Sequence, residues 1–317
     1  MILKSQYHGN YTYCGTYAIY DLIQSNLKIS MNKFEIITSV PFGIVHNPDY
    51  PHRIISPYVD PTIGLNKAAK ILNIDLKTYQ SDEKEEMYSK LVECIQKGAV
   101  LIGPVNMAKL NYLPQPRIYN KVPHYIVLYK LKNNKFFLND SEGLIGYYIN
   151  KDELMDIWNG HDIYEAKKLF NMRTIENYGK EPNEEQLVMK SIINCQTNLL
   201  NACKEGQGPY VFLKLWDMIK NTGKKYYNYI FFDLEIFIQR KYLLMEIIEW
   251  ANDIIKSEDC ESIKRIAMKQ MKVVSNINYN IRNKQKLVEG SFKQLYDLEK
   301  QLTALFHKNI LIKEVEQ

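Results

Sequence analysis

No CxxC pair occurs among the five cysteines, which stand at positions 14, 94, 195, 203 and 260. Their odd number and wide spacing exclude a zinc ribbon and argue against a disulfide scaffold. Glycine (14) and proline (11) are scarce in a chain of 317 residues, which excludes collagen-like and low-complexity classes. Long apolar runs are lacking too. The longest uncharged, mostly apolar stretch is 99–108, and Gly103 and Pro104 interrupt it. A bilayer-spanning helix needs ~20 such residues. The opening MILKSQYHGN shows no apolar run behind a basic start. No secretory leader is therefore expected, and the expected compartment is the cytoplasm, where thiols stay reduced. Neither charge sign dominates: 41 Lys and Arg against 36 Asp and Glu leave a net charge of +5, evenly spread. That is too weak a surplus to point to nucleic acid.

What is present is an ordinary globular composition, 46% apolar and 24% charged, with an unusual 24 tyrosines. The length suits two domains. Residues 1–175 mix helix and strand signals. TYAIYDLIQSNL spaces Ala18/Leu22 and Ile19/Ile23 by four, which predicts a buried helix starting near Cys14. Further helices are expected over 64–73, 82–97 and 151–159. AVLIGPV (99–105), HYIVLYKL (124–131), KFFL (135–138) and GYYI (146–149) read as strands, with Asn133-Asn134 as a hairpin turn. Region 41–61 carries five prolines and little periodicity, and reads as an ordered loop or lid. From 176 to 317 apolar residues recur by three and four in long helical patterns, after a break near Asn177–Asn183. The expected fold class is α+β: a first domain, 1–175, with an antiparallel sheet and a cysteine-bearing helix, and a mostly helical second domain, 176–317.

Chemistry concentrates in the first half. In YCGTYAIYDLI, Cys14 sits at a helix start. Free N–H groups and the positive end of the helix dipole favour a nucleophilic thiolate there, and Gly15 leaves room for a substrate carbonyl. The other four cysteines lie inside amphipathic helical patterns and read as structural. His124 opens one strand and Asp140 closes the next. If those strands are antiparallel neighbours, both residues fall on one sheet edge. The carboxylate can then hold one imidazole nitrogen and leave the other for a thiol. Taken singly, His124 reads as a strand-end histidine bonded to backbone, and Asp140 as a residue of the Asn-Asp-Ser-Glu-Gly turn. In the order Cys, His, Asp they read as a nucleophile with its base and orienter.

Cys-Gly at a helix start, HYIVLYKL and FLNDSEG together resemble the papain-fold cysteine enzymes, including the bacteriocin-processing (C39-like) peptidases. With VLIGPVNMAKLNYLP and the helical second half, the chain resembles more narrowly the acyltransferases of the butirosin biosynthesis type, over roughly residues 1–160. That resemblance implies a papain-like fold and a Cys14–His124–Asp140 triad. It also implies transfer of an acyl group from a carrier-protein thioester to a small-molecule amine. The partners would be an acyl or peptidyl carrier protein and the amine, and the phosphopantetheine arm on the donor would serve in place of a cofactor of the enzyme's own. One departure concerns the oxyanion. Papain-like peptidases place a glutamine six residues before the cysteine; here that position is His8, with Gln6 eight before and Asn10 four before. The Cys14 N–H together with Gln6 or His8 is the expected oxyanion donor set. A peptidase using the same triad, with water as acceptor, is the alternative, and a binding protein that has lost activity is a third reading.

Other features carry less. His46, Asp49 and His52 match no common zinc spacing, so no metal is expected, and the segment reads as a loop bordering the active site. Gly206-Gln207-Gly208 lacks the preceding strand of a dinucleotide fingerprint and reads as a turn before a helix. The aromatic run Tyr226, Tyr227, Tyr229, Phe231 and Phe232 is either a ligand channel or, more plainly, helix packing. Lys109, Arg117 and Lys121 flank the His124 strand as a solvated rim or an acidic-carrier contact. No membrane or nucleic-acid partner is expected, and the long amphipathic C-terminal helices make a homodimer a candidate state.

Overall fold

A computed structural model describes residues 13–23, 28–46, 55–113, 122–141, 144–160, 163, 168–251 and 257–309. By internal contacts the chain forms two compact units, Met1–Phe34 with Leu65–Pro182, and Glu35–Gly64 with Asn183–Gln317. The chain passes between them within two helices, α2 (Met31–Thr38) and α3 (Pro61–Ile71), and a third time between Pro182 and Asn183.

The first unit is built on a six-stranded antiparallel sheet among the described residues, in the order β3 (Ile74–Ser81), β8 (Phe170–Tyr178), β4 (Val100–Asn106), β5 (Pro123–Lys132), β6 (Lys135–Asp140), β7 (Leu144–Asn150). The β5–β6 hairpin closes on Asn133 and Asn134, both at positive φ (51° and 58°). Two such residues make a type I′ turn, whose twist matches that of the strands, and asparagine tolerates the conformation. Helices α4 (Lys84–Lys97) and α5 (Lys151–Trp158) cover one face. There Met87, Leu91 and Trp158 join Ile102, Ile126 and Leu138 in one core. A capping box, Asn150 with Glu153, starts α5 and stabilises it by about 1 kcal/mol. Strand residues alternate between faces. Leu138 belongs to that core, so Asn139 points to the other side, where its amide donates to Asp21 of helix α1 (Cys14–Ile23) at 2.9 Å. α1 therefore lies across the opposite face, against β5 and β4.

Strands β3 and β8 have no counterpart in the sequence reading. β3 is an edge strand whose residues are mostly exposed or half-buried, so its apolar pattern is thin. β8 carries Asn171 and Arg173 in buried positions, which breaks the expected alternation.

The second unit is helical: α6 (Glu184–Lys204), α7 (Tyr210–Thr222), α8 (Tyr227–Trp250), α9 (Ser257–Arg282) and α10 (Glu289–Asn309). Phe212, Phe237, Phe292, Leu302 and Phe306 form its centre. Gly206 and Gly208, both at positive φ, turn the chain into α7. Tyr226, Tyr227, Tyr229 and Phe231 pack half-buried on this core, as ordinary helix packing. Region 41–61 differs from the loop expected. It contains a short antiparallel pair, β1 (Ile44–His46) and β2 (Ile55–Pro57), and contributes Phe42, Ile44 and Ile55 to the helical core. The Ile55 N–H donates to Asp233 Oδ2 of α8 at 2.9 Å. Strands of three residues are too short to show a period, so only the prolines were visible. Asp49 and His52 lie outside the described residues. No helix among the described residues is long and apolar enough to cross a membrane.

A buried ion pair lies in this unit. Lys241 Nζ meets Glu299 Oε2 at 2.6 Å, and Gln270 Nε2 donates to the same oxygen at 2.5 Å. Burial pulls the Lys241 ammonium below its usual range against the attraction of Glu299. Removing one partner strands the other charge, so Glu299→Ala should cost about 3–5 kcal/mol in urea unfolding. Lys241→Met with Glu299→Leu should recover part of that loss. A single substitution costing under about 1 kcal/mol would show that the pair is hydrated in solution.

Candidate active site

Cys14 is the first residue of α1 and is half-buried, whereas Gly15 to Ile23 are buried. The first helical hydrogen bond runs from Tyr17 N–H to Tyr13 C=O at 3.2 Å. Gly15 permits the close approach of α1 to β5: a Cβ there would sit 3.1 Å from Leu65 Cδ1 and 3.2 Å from the Tyr125 ring. On the other side, Cys14 Sγ lies 3.9 Å from the Pro123 carbonyl oxygen. The next residue is His124.

The hairpin does the remaining placement. β5 and β6 run antiparallel with Ile126 opposite Asp140, so the start of one strand lies beside the end of the other. His124 Nε2 is 2.8 Å from Asp140 Oδ1. Both residues are 1% exposed. The Cys14 thiol, against the Pro123 carbonyl, lies near enough to the ring to act on its basicity. Gly103 makes room for this. It pairs next to the His124 backbone with φ +146°, and a Cβ would fall 2.4 Å from Tyr125 Cδ1 and 2.8 Å from His124 O. An alanine there meets both a wall and an unfavourable backbone region.

Burial works against a charged imidazole at His124. The charge of Asp140, the influence of Cys14 and the hydrogen bond to Asp140 outweigh it and hold His124 well above the usual histidine range. The raised basicity suits His124 to accept a proton from a neighbouring group. The other thiols are unsuited to this: burial pushes Cys94, Cys195, Cys203 and Cys260 up.

Cys14, His124 and Asp140 therefore come together. The two oxyanion candidates, Gln6 and His8, lie outside the described residues, as does Asn10. Lys109 bonds Asp156 at 2.9 Å and is occupied within the unit, while Arg117 and Lys121 lie outside the described residues. His46 sits in β1 of the second unit, where its N–H donates to Gln207 Oε1 at 2.9 Å. Burial, and then Lys214, pull its ring below the usual range. Among the described residues no group of three or more His, Cys, Asp or Glu could hold a metal ion. One polar group was missed in the sequence: the Tyr112 hydroxyl donates to Asp140 Oδ2 at 2.7 Å. Its place inside NMAKLNYLP, 28 positions before Asp140, gave no periodic signal.

No family model matches the chain. It is 25% identical over 152 residues to the Bacillus subtilis (strain 168) protein described as "Uncharacterized protein YobF". The match covers 48% of this chain and 48% of that protein, so the chain spans about half the length of the curated relative it matches.

Limiting iodoacetamide near neutral pH should label Cys14 ahead of the four other cysteines, by peptide mapping of the native protein. Preferential labelling of Cys203, the other half-buried thiol, would contradict the assignment.

Proposed function

We propose that the chain is a papain-like cysteine acyltransferase that forms an amide from a carrier-protein thioester and a small-molecule amine. The observation that carries the reading is the buried His124, bonded to Asp140, with the Cys14 thiol against the carbonyl of the preceding residue, Pro123. The order of the motifs and the helical second unit add to it.

In the first step Cys14 Sγ forms a bond to the thioester carbonyl carbon while its proton passes to His124. The C–S bond to the phosphopantetheine arm then breaks, and the departing thiol takes the proton from His124. In the second step the amine nitrogen attacks the acyl-enzyme, His124 accepts its proton, and Cys14 leaves and is reprotonated. A thioester is already activated, so these steps need neither ATP nor a metal. An oriented amine competes with water because well-placed reactants reach effective molarities of ~10⁵ M or more. The donor arm and carrier protein are the implied partners, the cytoplasm the implied compartment, and a homodimer the candidate assembly.

Hydrolysis of a peptide by the same three residues is the competing reading. Intact-mass analysis with S-hexanoyl-N-acetylcysteamine, with and without a diamine, separates the two. Cys14 should gain the acyl mass transiently, and amide should exceed free acid when the diamine is present. Cys14→Ala and His124→Ala should each abolish turnover, with the double variant no worse, because members of such a unit act non-additively. Asp140→Asn should cost less. Cleavage of peptides with no amide from any thioester and amine pair would move the assignment to a peptidase.

A further inference from the structure

The two steps above use Cys14, His124 and one oxygen of Asp140. The second oxygen is held as well. An ionised carboxylate offers about four lone-pair sites on its two oxygens, and a buried one must fill them to be tolerated. Oδ1 faces His124 at 2.8 Å and accepts a longer bond from Ser141 Oγ at 3.4 Å; Oδ2 accepts the Tyr112 hydroxyl at 2.7 Å.

The tyrosine is itself fixed. After β4, the Asn106 side chain accepts from Ala108 N–H at 3.0 Å, and Met107 N–H donates to Val122 C=O at 3.1 Å. Two further backbone bonds, Leu110 N–H to Met107 C=O (3.2 Å) and Leu113 N–H to Leu110 C=O (3.0 Å), carry the chain through tight turns. Leu110 and Leu113 are buried on either side of Tyr112. The Tyr112 ring packs on Tyr147 with centroids 4.7 Å apart. Its apolar body is thus anchored and its polar tip is aimed at the carboxylate.

We propose that Tyr112 is a positioning residue that acts through Asp140. Its hydroxyl fixes the rotation of the Asp140 carboxylate, so that Oδ1 stays on His124 Nε2 and the other ring nitrogen stays on Cys14. This rests on the Cys14–His124–Asp140 reading of the site. Small misplacement of such a group is expensive in rate, while a neutral donor to a carboxylate adds no charge of its own.

The test is a double-mutant cycle on the rate of Cys14 alkylation by iodoacetamide, measured on the full chain near neutral pH. Tyr112→Phe keeps the ring and should slow labelling about three- to tenfold, the range expected for the net worth of one ordinary hydrogen bond. Asp140→Asn should slow it at least as much. The double variant should match Asp140→Asn alone, because the proposed effect of the hydroxyl runs through that carboxylate. In ¹⁵N-histidine spectra the His124 Nε2 resonance should also shift in Tyr112→Phe. 3-Fluorotyrosine at position 112, a stronger donor of nearly the same shape, should shift it in the opposite sense and serves if Tyr112→Phe does not fold. Additive losses, or an unmoved resonance and rate, would leave Tyr112 a packing residue and overturn the proposal. Wild-type protein whose Cys14 labels no faster than Cys203 would overturn the active-site reading itself, and the proposal with it.

Discussion

The imidazole of His124 is buried, and everything chemical about the first unit depends on what surrounds it. A neutral histidine in that position would need no more than a backbone partner. Instead a carboxylate lies 2.8 Å from one nitrogen and the Cys14 thiol is close by, so the charged form is favoured despite the loss of water. The sign of the linkage follows. A folded-state value raised above the unfolded one, about 6.5 for histidine, contributes stability that is present below that range. It is lost as pH rises through the folded value.

The scaffold supplies three independent constraints on that ring. The β5–β6 hairpin sets His124 beside Asp140, and its register is fixed by a two-asparagine turn at the far end. The start of α1 brings Cys14 in from the opposite sheet face, and Gly15 lets the helix come close enough. Gly103 in β4 clears the other side of the His124 backbone. In each case a small residue or a turn residue does what a side chain with a Cβ, or without tolerance for positive φ, would prevent. The helical unit follows a different logic, in which apolar faces close around the Lys241–Glu299 pair.

Much of this was legible in the sequence because the signals were local and periodic. The helix at Cys14, the strands around His124 and Asp140, the Asn-Asn turn and the helical patterns beyond Asn183 all announce themselves within a dozen residues. The His124–Asp140 contact was legible through the hairpin, since antiparallel pairing converts a separation of sixteen positions into adjacency. β3 and β8 were not legible, because an edge strand needs little apolar pattern and a strand with buried Asn171 and Arg173 hides its alternation. The β1–β2 pair was masked by its prolines and its brevity. Tyr112 was invisible for another reason: its contact with Asp140 arises from an irregular run of turns, and no spacing rule connects them.

The central claim is that Cys14, His124 and Asp140 form one coupled unit, and the most direct measurement of it is the titration of His124 by ¹⁵N-histidine NMR in the wild type and in Cys14→Ser. His46 provides an internal contrast, since burial and Lys214 pull its ring down. His124 should keep its proton long after His46 has lost its own, and Cys14→Ser should bring the His124 titration down. Loss of the His124 proton within the ordinary imidazole range, unaffected by Cys14→Ser, would contradict the account.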